Sequence, residues 1–184
     1  MPVFTADKVQ KIFEMLNLPF RFGEEEIAEL NAAGVTERGS RMLSFPTPQA
    51  NSGLNVLNLR QLRGTDPTKQ PSFFDHPWYL EEDFGRKECE PGWHTIEMDP
   101  DPATIERSYD FNRLLPSAVE VVLMVFLYYV DTGERLLLKK HTWCADEASL
   151  GRKVTVGAFG RNGIFISGHP PSFASRGLGI CGKT

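Results

Sequence analysis

Cysteine is scarce in this chain, and its three copies stand far apart, at Cys89, Cys144 and Cys181. An odd number at such spacing argues against a disulfide scaffold and fits a reducing, cytoplasm-like compartment. No basic stretch followed by an apolar one opens the chain, so no secretory signal is expected. The longest apolar run, 118–130, is too short to span a bilayer, which takes about 20 residues. Acidic residues are missing altogether after Gly151, where Arg152, Lys153, Arg161, Arg176 and Lys183 supply only positive charge. The net charge of the whole chain is nevertheless −4, which gives no reason to expect a nucleic-acid partner. Internal repeats and low-complexity linkers are absent too. With 184 residues and 41% hydrophobic content, the chain can bury a sizeable core as one domain, or as a domain with a helical appendage.

What is present begins with helices. Residues 6–16 place Val9, Ile12, Phe13 and Leu16 on one helical face, after Thr5 as a plausible N-cap. A second helix is expected over 24–33, with acids in its first turn where the helix dipole favours them. Short strands are expected around 42–45 and 54–57, and a turn-rich connector over 64–70. The aromatics of Phe73-Phe74-Asp75-His76-Pro77-Trp78-Tyr79 and Gly92-Trp93-His94 read as core more readily than as a sugar-stacking platform. Ser117 and Glu120 form a capping box, and the helix that follows, 118–130, is apolar nearly all round and therefore buried. Gly133 suits the left-handed position after its last turn. A strand is expected to begin at Leu136-Leu137-Leu138.

The last third carries a different signal. Val154, Val156, Ile164 and Ile166 alternate with residues of unrelated type, the period of strands with one buried face. The intervening and following positions are Thr155, Ala158, Arg161, Phe165, Ser167, His169, Pro170, Pro171, Phe173, Ala174 and Arg176. No packing logic orders them, which suggests a display surface.

Catalytic and metal motifs are weak by comparison. Cys89 with His94 and His141 with Cys144 allow a zinc site to be imagined, although structural sites usually show tighter ligand pairs. Asp99 with Asp101, and Glu81 with Glu82, lie in polar turns without signs of the burial that separates two carboxylate pKa values. Gly157, Gly160 and Gly163 share a GxxGxxG spacing, but strands follow them where a phosphate loop requires a helix. Ser44, Ser167 and the histidines make no recognisable nucleophile motif. An enzyme using Cys144, Cys181, His94 and His141 stands as the alternative class.

The order of Gly-Trp-His, a capped buried helix after Pro-Ser-Ala, a Thr-Gly-Glu-Arg turn, Val-x-Val-Gly-x-Phe and a terminal Gly-Leu-Gly resembles the variable proteins of diversity-generating retroelements. The resemblance covers 71–184. It implies an α+β protein: an N-terminal helical segment (1–60), then a C-type-lectin-like, formylglycine-generating-enzyme-like domain (61–184) of short twisted antiparallel strands and a buried helix. A variable region at about 142–180 is implied, with Trp143, Thr155, Ala158, Gly160, Arg161, Phe165, Ser167, His169, Pro170, Pro171, Phe173, Ala174 and Arg176 as ligand-binding positions. In that family an error-prone copy randomises template adenines, and codons of the AAC type cannot reach Lys, Glu, Gln, Met or Trp. None of those five types occurs between Val154 and Gly182. The implied function is recognition of a macromolecular, most readily protein, partner without a cofactor or metal, and without enzymatic activity. Glu90-Pro91-Gly92 lacks the amide of calcium-dependent sugar-binding lectins, so calcium-mediated sugar binding is not expected. The paired catalytic cysteines of the related sulfatase-modifying enzymes have no evident match in Cys144 and Cys181.

Overall fold

Thr5 starts the first helix, α1 (Ala6–Met15), by accepting a hydrogen bond from the Lys8 amide at 3.3 Å. In the computed structural model, residues 3–33, 41–109 and 112–184 are described; part of the expected N-terminal segment, 34–40, lies outside the described residues. Val9, Ile12 and Phe13 of α1 are buried, as their spacing requires. The second helix, α2 (Glu24–Ala33), opens on three glutamates. Glu26 folds back to accept from the Gly23 amide at 3.1 Å. Trp93 ties α2 down by donating its indole N–H to the Leu30 carbonyl at 3.0 Å.

Two sheets follow, giving a mixed α+β architecture. The smaller pairs β1 (Met42–Thr47) with β2 (Gly92–Glu97) antiparallel, Leu43 opposite Ile96 and Phe45 opposite His94. The larger has the order β5-β4-β3-β6. In it β3 (His141–Ala148), β4 (Arg152–Gly160) and β5 (Gly163–His169) run antiparallel, and the short β6 (Leu178–Gly179) joins β3 in parallel.

Between the sheets in sequence lies the longest helix, α4 (Ala118–Thr132). The capping box forms as expected: the Ser117 hydroxyl accepts from the Glu120 amide, and the Ser117 amide donates to the Glu120 carboxylate at 2.8 Å. Gly133, at φ 75°, ends the helix by donating to the Tyr129 carbonyl at 2.8 Å. Every residue from Ala118 to Leu127 is buried. Val154, Val156, Phe159, Ile164 and Ile166 belong to the same buried cluster as α4, together with Phe4, Val9, Ile12 and Phe13 from the N-terminal segment. None of the helices among the described residues is long and apolar enough to cross a membrane.

Two local expectations fail. Residues 54–57 are not a strand: Asn55 caps a helix, α3 (Val56–Arg63), accepting from the Asn58 amide at 2.9 Å. Val56, Leu59 and Arg60 are then buried at helical spacing, so a short apolar run served a helix face rather than a strand. Nor does a strand begin at Leu136. Leu137 takes a left-handed φ of 53°, burying its own side chain while Leu138 stays half exposed, and β3 starts only at His141.

Candidate functional site

Alternation along β4 and β5 sends Val154, Val156, Ile164 and Ile166 to the core and turns Thr155, Phe165 and Ser167 to the other face of the sheet. The chain after β5 folds back across this second face. Phe173, Ser175 and Leu178 come to lie beside Thr155, Phe165, Ser167, His169 and His141 around a cavity of about 230 Å³. Antiparallel pairing sets Thr155 opposite Ser167. Their hydroxyls are 2.8 Å apart, and the Ser167 hydroxyl reaches His169 Nε2 at 2.9 Å. The result is a short chain of hydrogen bonds from the floor of the cavity to its rim.

Aromatic rings form the walls. His169 stacks on Phe173 with centroids 4.2 Å apart and planes inclined by 8°. Phe165, also in the lining, stacks on His76 behind it at 5.3 Å, meets Phe74 edge-on, and receives His141 edge-on at 5.9 Å. No Asp, Glu, Lys or Arg lines the cavity. Burial pushes His141 down to about 4, with a smaller contribution from His169, and burial lowers His169 as well. Both rings are therefore neutral at pH 7, and the whole cavity is uncharged. Nδ1 of His141 is buried with no hydrogen-bond partner among the described residues.

The candidate display positions separate on this scaffold. Phe165, Ser167, His169 and Phe173 converge on the cavity. Arg161, Pro170, Ala174 and Arg176 are exposed, Pro171 is half-buried, and Arg176 pairs with Glu106 at 3.2 Å. Gly160 has room for a side chain, the nearest atom to a hypothetical Cβ being the Ala158 carbonyl oxygen at 3.7 Å. Ala158 sits in a bulge of β4 at φ 43°, a conformation that β-branched and bulky side chains avoid.

Two of the expected surface positions are closed to solvent altogether, and Ser167 is buried at 8% exposure. Trp143 is fully buried in a small second core with Leu115, Leu178 and Ile180, edge-on to Tyr109. Thr155 is also closed off from solvent, though it lines the cavity floor. The reason is the same for both. Strand alternation predicts which side of the sheet a residue faces, but not that residues 170–180 return to cover that side.

A second polar cluster lies within the core, and sequence spacing hid it. Glu120, 1% exposed, completes the capping box with one oxygen. Its other oxygen lies 2.8 Å from His94 Nδ1 and 2.6 Å from Lys183 Nζ. Burial alone would raise this carboxyl, but His94 and Lys183 outweigh it and bring it down to about 2. His94 Nε2 is in turn within 2.8 Å of the Thr47 hydroxyl and 2.9 Å of the Glu90 carbonyl.

Cys89, His94 and Glu120 lie close enough together to suggest a metal site, with ligand atoms within 4.8 Å of one another. The donor set does not fit one. The His94 ring is flanked by the Glu120 carboxylate at Nδ1 and by Thr47 at Nε2, and the Lys183 ammonium already sits on the carboxylate. His141 and Cys144 are not part of this group, so the imagined four-ligand zinc set is not assembled. All three cysteines are buried, and burial pushes each thiol up, the opposite of an activated nucleophile. Gly157 and Gly163 serve packing: a Cβ at Gly157 would strike the Lys140 carbonyl, and one at Gly163 would lie 2.5 Å from the Phe73 backbone. Asp99 and Asp101 are engaged by Lys140 and Arg113. No family model, curated protein or solved structure matches the chain, so its function must be argued from this geometry.

Proposed function

We propose that this chain is the variable protein of a diversity-generating retroelement, and that its α+β fold is of the C-type-lectin type. Its task is non-covalent recognition of a protein partner. The observation that carries this reading is the division of labour along β4 and β5. One face is fixed in the core, while the other gathers Phe165, Ser167, His169 and Phe173 around an uncharged cavity; Arg161 and Arg176 are exposed. Side chains on that face can change without disturbing α4. Aromatic residues and arginines are the types that dominate protein-binding hot spots. The buried, poorly ionised thiols weigh against thiolate chemistry at Cys89, Cys144 and Cys181.

The test is sequencing of the 3′ end of the gene across a natural population. Substitutions should concentrate at Gly160, Arg161, Phe165, Ser167, His169, Phe173, Ala174 and Arg176, at codons matching adenines of a nearby template repeat. Variation spread evenly over core and surface codons would overturn the reading.

A further inference from the structure

We infer that the cavity over Thr155 is a socket for one neutral phenol, the side chain of a tyrosine presented by the protein partner. This inference rests on the recognition reading above and adds the chemistry of what is recognised.

Size is the first argument. At about 230 Å³ the cavity is below the roughly 300 Å³ at which pockets begin to enclose small-molecule ligands, so it suits a single side chain. Charge is the second. With no ionised group in the lining, a partner's carboxylate or ammonium would be desolvated there with nothing to compensate it. Shape is the third. The rings of His141, Phe165, His169 and Phe173 line the cavity, and aromatic walls suit a flat ring.

The hydrogen-bond chain then selects among rings. An aliphatic side chain or a phenylalanine would fill the cavity but add no hydrogen bond to the Thr155–Ser167–His169 chain, whereas a phenol adds one. Thr155, Ser167 and His169 form a relay in which either hydroxyl can donate. A phenol hydroxyl both donates and accepts, so it can join this relay whichever way its protons are arranged. An indole N–H only donates.

The experiment uses the full chain and p-cresol, followed by NMR of the histidine and aromatic resonances. Toluene, p-toluate and 4-methylbenzylamine serve as comparators. The expected result is saturable p-cresol binding with a dissociation constant on the order of millimolar, as befits a fragment. It should be at least tenfold tighter than for any comparator and fall at least fivefold in Phe173→Ala. Phe173 is 38% exposed, so that variant keeps the fold. Equal binding of toluene and p-cresol, or p-cresol binding untouched by Phe173→Ala, would overturn the inference.

A second arm separates this inference from the broader reading. Random peptides displayed on phage and selected on the chain should converge on a tyrosine whose contribution vanishes with Phe173→Ala. Peptides that lack tyrosine yet still depend on Phe173 would sink the phenol socket and leave protein recognition standing. Selected peptides indifferent to every cavity residue would remove both.

Discussion

His94 and His141 both sit in closed surroundings, and the molecule treats them in opposite ways. His94 is 2% exposed, with the Glu120 carboxylate 2.8 Å from Nδ1 and Thr47 and the Glu90 carbonyl beside Nε2. His141 lines the outer cavity, where no ionised side chain stands, and burial holds its pKa down to about 4. In both rings Nδ1 makes no hydrogen bond among the described residues, so what separates the two is charge. His94 sits against a carboxylate held by Lys183, and His141 among rings and hydroxyls. Around Glu120 the charged groups close on one another. Around Thr155 rings and hydroxyls line an uncharged cavity.

The strongest way to break this comparison is to remove the carboxylate from the closed cluster. Glu120→Gln keeps the size of the side chain and an oxygen for the Ser117 amide, but leaves Lys183 and His94 without their shared anion. Removing one partner of a buried charged pair typically costs about 3–5 kcal/mol, and urea unfolding should show a loss of that order. A loss below about 1 kcal/mol would mean that the cluster is far wetter than its 1% exposure implies.

Acid titration sharpens the same contrast, because the two clusters fail in different pH windows. The folded chain takes up a proton at His141 only near pH 4, whereas the unfolded chain does so near the ordinary value of 6.5. The unfolded state therefore binds more protons between these values, and stability falls as pH drops from 6.5 to 4 by on the order of 3 kcal/mol. Glu120 behaves as a depressed carboxyl. Its contribution is complete above its ordinary 4.5 and is lost as pH falls towards about 2. His141→Phe should flatten the first limb and leave the second intact. If chemical unfolding from pH 7 to 4 is unchanged by this substitution, the ring is not held neutral by the fold.

How much of this could be read from the sequence depended on whether the deciding contact was local. The caps at Thr5, Ser117 and Gly133 are local: α1 begins at the first, and α4 begins and ends at the other two. The inner face of β4 and β5 follows from period-two alternation alone. Asn55 was a cap in plain sight. Leu54-Asn55-Val56-Leu57 nevertheless suggested a strand, since four residues cannot distinguish the two periods. Trp143 and Thr155 were misplaced for a non-local reason: the segment that covers them lies some twenty or more residues further along the chain. The same return of the chain brings His141 into the cavity, a residue whose sequence context suggested only metal or thiol chemistry. Glu120 was legible as a capping residue, and nothing local announced its second role with His94 and Lys183.

A gentler test exchanges the cavity and rim side chains together. Arg161→Ser, Phe165→Thr, His169→Ser and Phe173→Ser in one chain should cost no more than about 1–2 kcal/mol, most of it from half-buried Phe165 losing Phe74 and His76. The single inner-face change Ile166→Ala should cost about 2–5 kcal/mol, because it opens a void against α4. Thermal melts of the two proteins would rank the faces directly. A quadruple variant less stable than Ile166→Ala would place the outer side chains in the fold's support and remove the basis for calling that face interchangeable.

The smallest expected effect concerns Leu150, at the tip between β3 and β4. It is 94% exposed and held at φ 61°, a left-handed conformation unfavourable for a leucine by about 1–2 kcal/mol. Its neighbours keep it there. Glu82 accepts from the Ser149 amide at 2.8 Å and the Ser149 hydroxyl at 2.7 Å, and Arg152 bridges to the same carboxylate at 3.0 Å. Glycine adopts this conformation without strain but loses more freedom on folding, so Leu150→Gly should raise stability by at most about 1 kcal/mol. Calorimetry should show a small upward shift in Tm with no change in the Glu82 contacts. A clear loss instead would show that the leucine side chain, despite its exposure, packs on the loop and supports it. With a gain, Leu150 would join His141 as a place where the fold tolerates an unfavourable arrangement, and both lie outside the closed Glu120 cluster.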